Sequence, residues 1–287
     1  MNLSNLRNLF FLSLISLNLI TLSNPVEASE EAGTHFKKVV WVIFENESKD
    51  PVMSQPDFAR VAKLGVSFNS MKAEGRPSQP NYIAIVAGSL LGVNSNNNVD
   101  LTENHIGDLI EKAGLDWRTY AEDYPGNCFT GSKSGQYVRK HNPMISFANV
   151  SKNPARCAKI ESTARFFQDY SNGTLPALSI FVPNMKNSGH DTGFDFAGKW
   201  MNSRFGTIFS NPAAMADTLF IVTFDESGFA RGGEIYTVLL GANILAGTEN
   251  NQKVNHYSLL KLVEDELNLG NLGREDAKAT GITGIWK

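Results

Sequence analysis

Two pairs of neighbouring residues carry side-chain oxygens that could hold a cation, Glu45-Asn46 and Asp225-Glu226. Each pair directly follows a strongly apolar run of the sequence. Three carboxylates cannot crowd together in their ionised forms unless a cation lies between them. Oxygen ligands of this kind suit Mg²⁺, Ca²⁺ or Mn²⁺, and such an ion neutralises phosphate charge and lowers the pKa of a hydroxyl. The plainer interpretation, strands that end in polar turns, explains one such pair more easily than two.

Ser78 supplies a hydroxyl just before a predicted helix. We predict that this helix begins near Pro80 or Asn81, because proline is common in the first helical turn. A hydroxyl at this position could face a phosphate at the helix N-terminus, where free N–H groups and the helix dipole favour anions. From the residues alone the alternative is a helix cap, the usual role of a serine that precedes a helix.

The elements that must position these residues alternate between apolar strands and amphipathic helices. Short runs rich in Val, Ile and Phe predict five buried strands, over Lys38–Phe44, Arg118–Ala121, Ala177–Val182, Thr218–Phe224 and Tyr236–Leu240. Apolar residues at three- and four-residue spacing predict five helices, over Phe58–Leu64, Tyr82–Ala87, Ile106–Ala113, Thr163–Tyr170 and Tyr257–Leu267. The order predicts an α/β three-layer sandwich, with a mostly parallel sheet covered by helices on both faces. Ligands bind outside the carboxyl ends of such strands.

The composition is that of an ordinary globular protein, with 287 residues, 42% hydrophobic, 19% charged and a net charge of −3. This charge argues against a general nucleic-acid-binding protein. Arg7, an apolar run and small residues before a cut at Ala28 have the layout of a secretory signal peptide. We therefore expect a signal peptide over residues 1–28, one domain over residues 29–287, and a periplasmic or secreted protein. An uncleaved membrane anchor is the alternative.

The chain has two cysteines, Cys128 and Cys157. Two cysteines in an exported chain usually pair, so we predict a disulfide bond between them. It would close a loop of roughly 30 residues, which stabilises the fold by about 3–4 kcal/mol in the loop-entropy model. Two buried thiols are the alternative.

A series of short motifs resembles the alkaline-phosphatase superfamily, and within it the phosphoesterase family of bacterial and fungal acid phosphatases and phospholipases C. The motifs appear in order over about residues 38–269. They are Phe44-Glu45-Asn46, Pro77-Ser78-Gln79-Pro80-Asn81-Tyr82, Tyr120-Ala121-Glu122-Asp123-Tyr124-Pro125-Gly126, Lys140-His141-Asn142-Pro143, Val182-Pro183-Asn184-Met185, Gly189-His190-Asp191, Thr223-Phe224-Asp225-Glu226 and Asn255-His256-Tyr257-Ser258. Each motif alone is weakly specific, whereas their number, order and spacing together are strongly specific.

The resemblance implies a role for each residue of the site. Ser78 would be the nucleophile, would form a phosphoseryl intermediate and would also contact the metal. The other metal ligands would be Glu45, Asn46, Asp225 and Glu226.

Histidines and an asparagine would complete the site. His190 and His256 would be catalytic, and His141 and Asn96 would bind substrate, with Asn94 as an alternative to Asn96. The family commonly has Asp where this chain has Ser188. We therefore expect one divalent ion, which could be Mg²⁺, Ca²⁺, Mn²⁺ or Zn²⁺, rather than two.

The function expected from these observations is a metal-dependent phosphomonoesterase that acts on small phosphate esters, without nucleic acid or a stable membrane anchor. A phospholipase C or another phosphodiesterase is the first alternative, and a non-catalytic exported binding protein of the same fold is a more distant one. A sulfatase is disfavoured, because the Cys/Ser-x-Pro-Ser/Ala-Arg signature is missing. The oligomeric state stays open.

Overall fold

The computed structural model describes residues 35–228 and 233–287. The predicted signal peptide over residues 1–28 lies outside these residues. The described residues belong to one unit that runs from Ala32 to Lys287. No helix within them is both long enough and apolar enough to cross a bilayer.

The described residues form ten strands and eleven α-helices. The strands are β1 Lys38–Phe44, β2 Val66–Lys72, β3 Trp117–Ala121, β4 Lys133–Ser134, β5 Tyr137–Val138, β6 Ile160–Glu161, β7 Leu178–Val182, β8 Thr218–Phe224, β9 Thr237–Leu240 and β10 Thr248–Asn255. The helices are α1 Lys49–Ser54, α2 Pro56–Leu64, α3 Ser78–Ala87, α4 Ile106–Lys112, α5 Ala148–Ser151, α6 Pro154–Cys157, α7 Thr163–Ser171, α8 Phe194–Phe209, α9 Pro212–Asp217, α10 His256–Glu266 and α11 Glu275–Lys278. Two 3₁₀ turns cover Arg139–His141 and Met144–Ser146.

Eight strands form one central sheet in the order β10-β2-β9-β8-β1-β7-β3-β6. Every neighbouring pair is parallel except for the two pairs that β9 makes, with β2 and with β8. Strands β1 and β8 lie near the middle, and their side chains are almost all buried because both faces of the sheet are covered. The prediction of a mostly parallel sheet inside a three-layer α/β sandwich is confirmed.

The five predicted strands are present with ends that differ by at most one residue, but three further strands of the central sheet, β2, β6 and β10, were missed. Strand β10 lies at the edge of the sheet and has the sequence TENNQKVN, so it lacks the apolar run of a buried strand. Helix α8 was missed as well. The predicted start of α3 at Pro80 or Asn81 is wrong, because the helix begins at Ser78.

The predicted disulfide bond forms between Cys128 and Cys157, whose Cα atoms are 5.5 Å apart. The covalent loop that it closes contains the 3₁₀ turn Arg139–His141 and helix α5. Both ends of this segment are therefore tied together beside the carboxyl edge of the sheet.

Candidate active site

The two acidic pairs meet because β1 and β8 are parallel neighbours in register, with Phe44 opposite Phe224. Glu45 directly follows β1 and Asp225 directly follows β8, so these two residues are neighbours. The N–H of Asp225 donates to the carbonyl of Phe44 at 2.9 Å. Glu45 and Asp225 are fully buried and Glu226 is 5% exposed, so three carboxylates lie together out of water.

Asn46 turns the chain at the end of β1. Its φ of 54° lies in the left-handed region, which asparagine tolerates better than most residues. In this conformation its backbone N–H donates to Asp225 Oδ1 at 3.1 Å. Its side-chain Oδ1 is buried and has no hydrogen-bond partner among the described residues. That oxygen is available to a cation.

Ser78 is the first residue of α3, and Pro77 occupies the cap position. The alternative role of Ser78 as a helix cap is therefore wrong. Its Oγ lies 3.2 Å from Glu45 Oε2 and 3.4 Å from Glu226 Oε1. Helix α3 is buried over its whole length, so the position of this hydroxyl is fixed by packing.

The buried carboxylates have strongly shifted pKa values. Burial, Glu45 and Glu226 raise the pKa of Asp225 well above its ordinary value. Burial and Glu45 outweigh the opposing charge of Arg76 and raise the pKa of Glu226 to about 7. Burial also raises the pKa of Glu45, but His141 and Tyr82 outweigh it and hold this pKa below the ordinary value. The cluster therefore favours a positive charge, supplied by protons or by a metal ion.

The donor set fits a hard divalent cation. Three buried side-chain oxygens have no hydrogen-bond partner among the described residues, Asn46 Oδ1, Asp225 Oδ2 and Glu226 Oε2. Neighbouring oxygens around an octahedral ion with bonds of about 2.1 Å are about 3 Å apart, close to the separations of Ser78 Oγ from the two carboxylates. No group of three His, Cys, Asp or Glu residues in the described part of the chain makes a metal site by itself. A metal ion held here would therefore also need the amide of Asn46 and the hydroxyl of Ser78 as ligands.

Ser188 contributes no charge to this cluster. It is fully buried, its carbonyl accepts the N–H of Glu45 at 3.1 Å, and its Oγ points to the carbonyl of Met185. The family commonly has an aspartate at this position. Ser188 offers a second metal ion a hydroxyl instead of that carboxylate.

His141 lies against the carboxylates rather than in the open cavity. Its Nε2 is 3.1 Å from Glu45 Oε2, its ring stacks on Tyr82, and it is 2% exposed. Burial lowers its pKa despite the attraction of Glu45. Its substrate-binding role stays a prediction, since in this position it contacts a proposed metal ligand.

His190 is half-buried at the edge of the site. Its Nδ1 is 2.9 Å from Asp191 Oδ1, and its Nε2 is 3.5 Å from Lys140 Nζ. This histidine is accessible from the cavity, as its predicted catalytic role requires.

His256 is fully buried at the start of α10. Its Nε2 is 2.7 Å from the carbonyl of Asp225, and its backbone N–H donates to Glu74 at 3.1 Å. Burial lowers its pKa to about 4, so the ring is neutral and Nε2–H is the donor. The contacts indicate that His256 positions the end of β8, and its catalytic role stays a prediction.

Asn96 is held at the start of α3. Its Oδ1 accepts the N–H of Gln79 at 3.1 Å, and Gln79 Nε2 donates back to the carbonyl of Asn97 at 2.8 Å. The amide Nδ2 of Asn96 is the group that remains for a phosphate oxygen. Asn94, the alternative position, does not line the cavity.

A cavity of about 220 Å³ opens on this cluster. It is lined by Asn46, Arg76, Pro77, Ser78, Asn96, Lys140, His190, Glu226 and Gly228. A larger cavity of about 480 Å³ lies at the ends of β2 and β10 and shares none of these residues. We place the candidate active site in the smaller cavity, because Ser78 and Glu226 line it.

Sequence reasoning missed two groups that complete the site. Tyr82 donates its hydroxyl to Glu45 Oε1, and its spacing of four residues from Ser78 on a helix was the available signal. Lys140 lines the cavity, and its place beside His141 in a quoted motif was the signal.

Comparison with known proteins gives a consistent result. The phosphoesterase family model matches residues 60–270. A probable acid phosphatase of Kluyveromyces lactis is 33% identical over 95% of this chain and 72% of its own length. An acid phosphatase of Aspergillus fumigatus is 33% identical over 89% of this chain and 60% of its own length. A phosphatidylinositol-3-phosphatase of Mycobacterium tuberculosis is 32% identical over 88% of this chain and 83% of its own length. The chain thus spans less than two thirds of the length of the Aspergillus fumigatus relative.

Solved structures show the same fold at low identity. A protein in the alkaline phosphatase superfamily from Vibrio parahaemolyticus superposes with a TM-score of 0.55 at 14% identity, over 87% of this chain and 71% of that one. The phosphonate monoester hydrolase of Agrobacterium radiobacter gives 0.56 at 11% identity, over 88% and 79%. The resemblance predicted from the motifs is confirmed: the chain belongs to the phosphoesterase family, a family of phosphate-ester hydrolases, and has the α/β fold of the alkaline phosphatase superfamily.

Proposed function

We propose that the protein is an exported, metal-dependent phosphomonoesterase of the acid-phosphatase type, with Ser78 as its nucleophile. The observation that carries the proposal is the position of Ser78 Oγ, within 3.4 Å of both Glu45 and Glu226 on the wall of a small cavity. A hydroxyl placed beside a proton acceptor is the usual arrangement of an activated nucleophile. The acid phosphatase relatives support the same reaction.

One divalent ion would be held by the clustered oxygens. Its ligands would be Glu45, Asn46, Ser78, Asp225 and Glu226. When bound, the ion would neutralise phosphate charge and lower the pKa of the hydroxyl. Ser188 supports a single ion, because it offers no carboxylate for a second one.

The reaction would proceed in two displacements. Ser78 Oγ bonds to phosphorus as the ester P–O bond breaks, and the alcohol leaves with the bonding electrons. The serine proton has acceptors at Glu45 and Glu226, and His190 is placed to protonate the departing oxygen. Water then attacks the phosphoserine, which releases inorganic phosphate and restores the hydroxyl.

The size of the cavity favours small phosphate esters. About 220 Å³ accommodates a phosphate group and the first atoms of its alcohol. The phosphatidylinositol-3-phosphatase relative makes a phosphorylated lipid headgroup a second candidate substrate. Export to the periplasm or the medium is supported by the disulfide bond, which is typical of oxidising compartments.

Replacing Ser78 with Ala should abolish turnover while the fold survives. The purified chain, without residues 1–28, is assayed on p-nitrophenyl phosphate, bis-p-nitrophenyl phosphate and a phosphatidylinositol phosphate, with each candidate metal and with chelator. We expect the monoester to be the best of the two chromogenic substrates, and chelator to stop the reaction. Ser171→Ala, an exposed serine at the end of α7, is the matched control. Absence of turnover with every metal would leave a binding protein as the better description.

A further inference from the structure

Lys140 is held rigidly between two anchored neighbours. Arg139 before it is 4% exposed and donates to the carbonyl of Val99 at 2.6 Å and to Asp100 at 2.7 Å. His141 after it is buried against Glu45. The 3₁₀ turn that these residues form lies inside the disulfide-closed loop. The backbone of Lys140 is therefore fixed, and its side chain lines the cavity beside Ser78.

The ammonium of Lys140 has no carboxylate within ion-pair distance among the described residues. Its one side-chain hydrogen-bond contact among the described residues is with His190 Nε2, at 3.5 Å. Asp191 accepts from His190 Nδ1, so Nε2 is the ring nitrogen of His190 that faces Lys140. A lysine has three N–H donors, so this contact leaves donors for another acceptor.

Arg76, the other permanent cation of the cavity, is engaged by the protein. Its Nη2 donates to the carbonyls of Ser227 and Gly228, and its Nε is 3.7 Å from Glu226. These contacts direct its guanidinium toward Ser227, Gly228 and Glu226. Lys140 is the better-placed cation for substrate charge.

We propose that Lys140 is the specificity-determining residue that selects dianionic phosphomonoesters over monoanionic phosphodiesters, an inference that rests on the proposed function. A monoester bound at Ser78 has three non-bridging oxygens and two negative charges. Lys140 lines the same cavity as Ser78 and Glu226 and contacts His190, while no carboxylate of the proposed metal site among the described residues forms an ion pair with it. A diester has one of these oxygens esterified, so it loses a charge and gains bulk near the ammonium.

The test compares substrates that differ in one charge. They are p-nitrophenyl phosphate, bis-p-nitrophenyl phosphate and p-nitrophenyl methylphosphonate, in which a methyl group replaces one anionic oxygen. In the Lys140→Met variant, we expect the ratio of kcat/KM for the monoester to that for the methylphosphonate to fall on the order of 10- to 100-fold, the loss expected for one charge-assisted hydrogen bond. Lys140→Arg should retain most of the ratio, because it keeps the charge.

Lys152→Met is the matched control, because Lys152 is an exposed lysine of the same disulfide-closed loop that does not line the cavity. It changes the net charge equally and should leave the ratio unchanged. Equal losses on all three substrates in Lys140→Met would overturn the proposal while leaving the phosphatase function intact. If the variant does not fold, the wild-type protein decides: a preference for the methylphosphonate or the diester over the monoester contradicts the role of Lys140. Failure of the proposed function itself would appear as no turnover of any substrate.

Discussion

At the residue scale, Glu45 determines how the site is organised. Its Oε1 accepts the hydroxyl of Tyr82, and its Oε2 is shared by Ser78 at 3.2 Å and His141 at 3.1 Å. Burial alone would raise its pKa, but His141 and Tyr82 outweigh burial and hold this pKa below its ordinary value. Glu45 is thus the permanent negative charge of the cluster, whereas Asp225 and Glu226 have raised pKa values. Metal binding should therefore displace protons from the latter two.

Removal of the Tyr82 hydroxyl should weaken metal binding without unfolding the protein. Tyr82→Phe leaves Glu45 Oε1 without its donor and frees the carboxylate to rotate. Partners of this kind typically change metal affinity 10- to 100-fold, and we expect a loss of about 10-fold by calorimetric titration. Tyr236→Phe is the control, since Tyr236 donates to the carbonyl of Phe58 at 2.8 Å instead. Equal affinities in Tyr82→Phe and the wild type would remove Tyr82 from the metal site.

At the element scale, the sequence predicted the strands that carry the site better than those at the edge. Strands β1 and β8 are buried on both faces, so they have uninterrupted apolar runs that end in the acidic pairs. Strand β10 could not be predicted from an apolar run, because its sequence is mostly polar. It is held in the sheet by backbone hydrogen bonds to β2, which do not depend on its side chains. The start of α3 was misplaced for a related reason. Ser78 takes its position from buried packing and from Glu45, which no local pattern encodes.

Helix α10 carries a buried acid whose protonation should make stability depend on pH. Glu264 is 1% exposed, and burial with Asp276 and Asp265 raises its pKa to about 8. Between the ordinary value of 4.5 and about 8, the folded protein retains a proton that the unfolded chain has released. This contribution to the free energy of unfolding is complete below pH 4.5. It falls as pH rises toward 8, by at most about 1.4 kcal/mol per pH unit.

Glu264→Gln should remove this contribution, because the amide does not titrate. Urea unfolding at pH 5 and pH 8 measures it as the difference between wild type and variant. We compare the free energy of unfolding of the variant with that of the wild type at each pH. This difference, variant minus wild type, should be larger at pH 8 than at pH 5 by at least about 1 kcal/mol. Exposed Glu103→Gln serves as the control. An identical pH dependence in wild type and Glu264→Gln would show that Glu264 is ionised in the folded protein.

At the scale of the whole molecule, the site is assembled from segments that are far apart in sequence. The ends of β1 and β8, the start of α3 and the disulfide-closed loop meet at one edge of the sheet. The carboxylates could be predicted to meet because parallel strands share an edge. The positions of Lys140 and His256 could not, because they depend on how a loop and a helix pack against that edge.

The central claim is that Ser78 becomes phosphorylated during turnover. The most direct measurement is acid quenching of the metal-loaded wild-type protein during hydrolysis of p-nitrophenyl phosphate, followed by peptide mass spectrometry. The account predicts a phosphate group on Ser78 that is absent from the chelated protein and from Ser78→Ala. Phosphate on another residue, or undiminished turnover by Ser78→Ala, would contradict it.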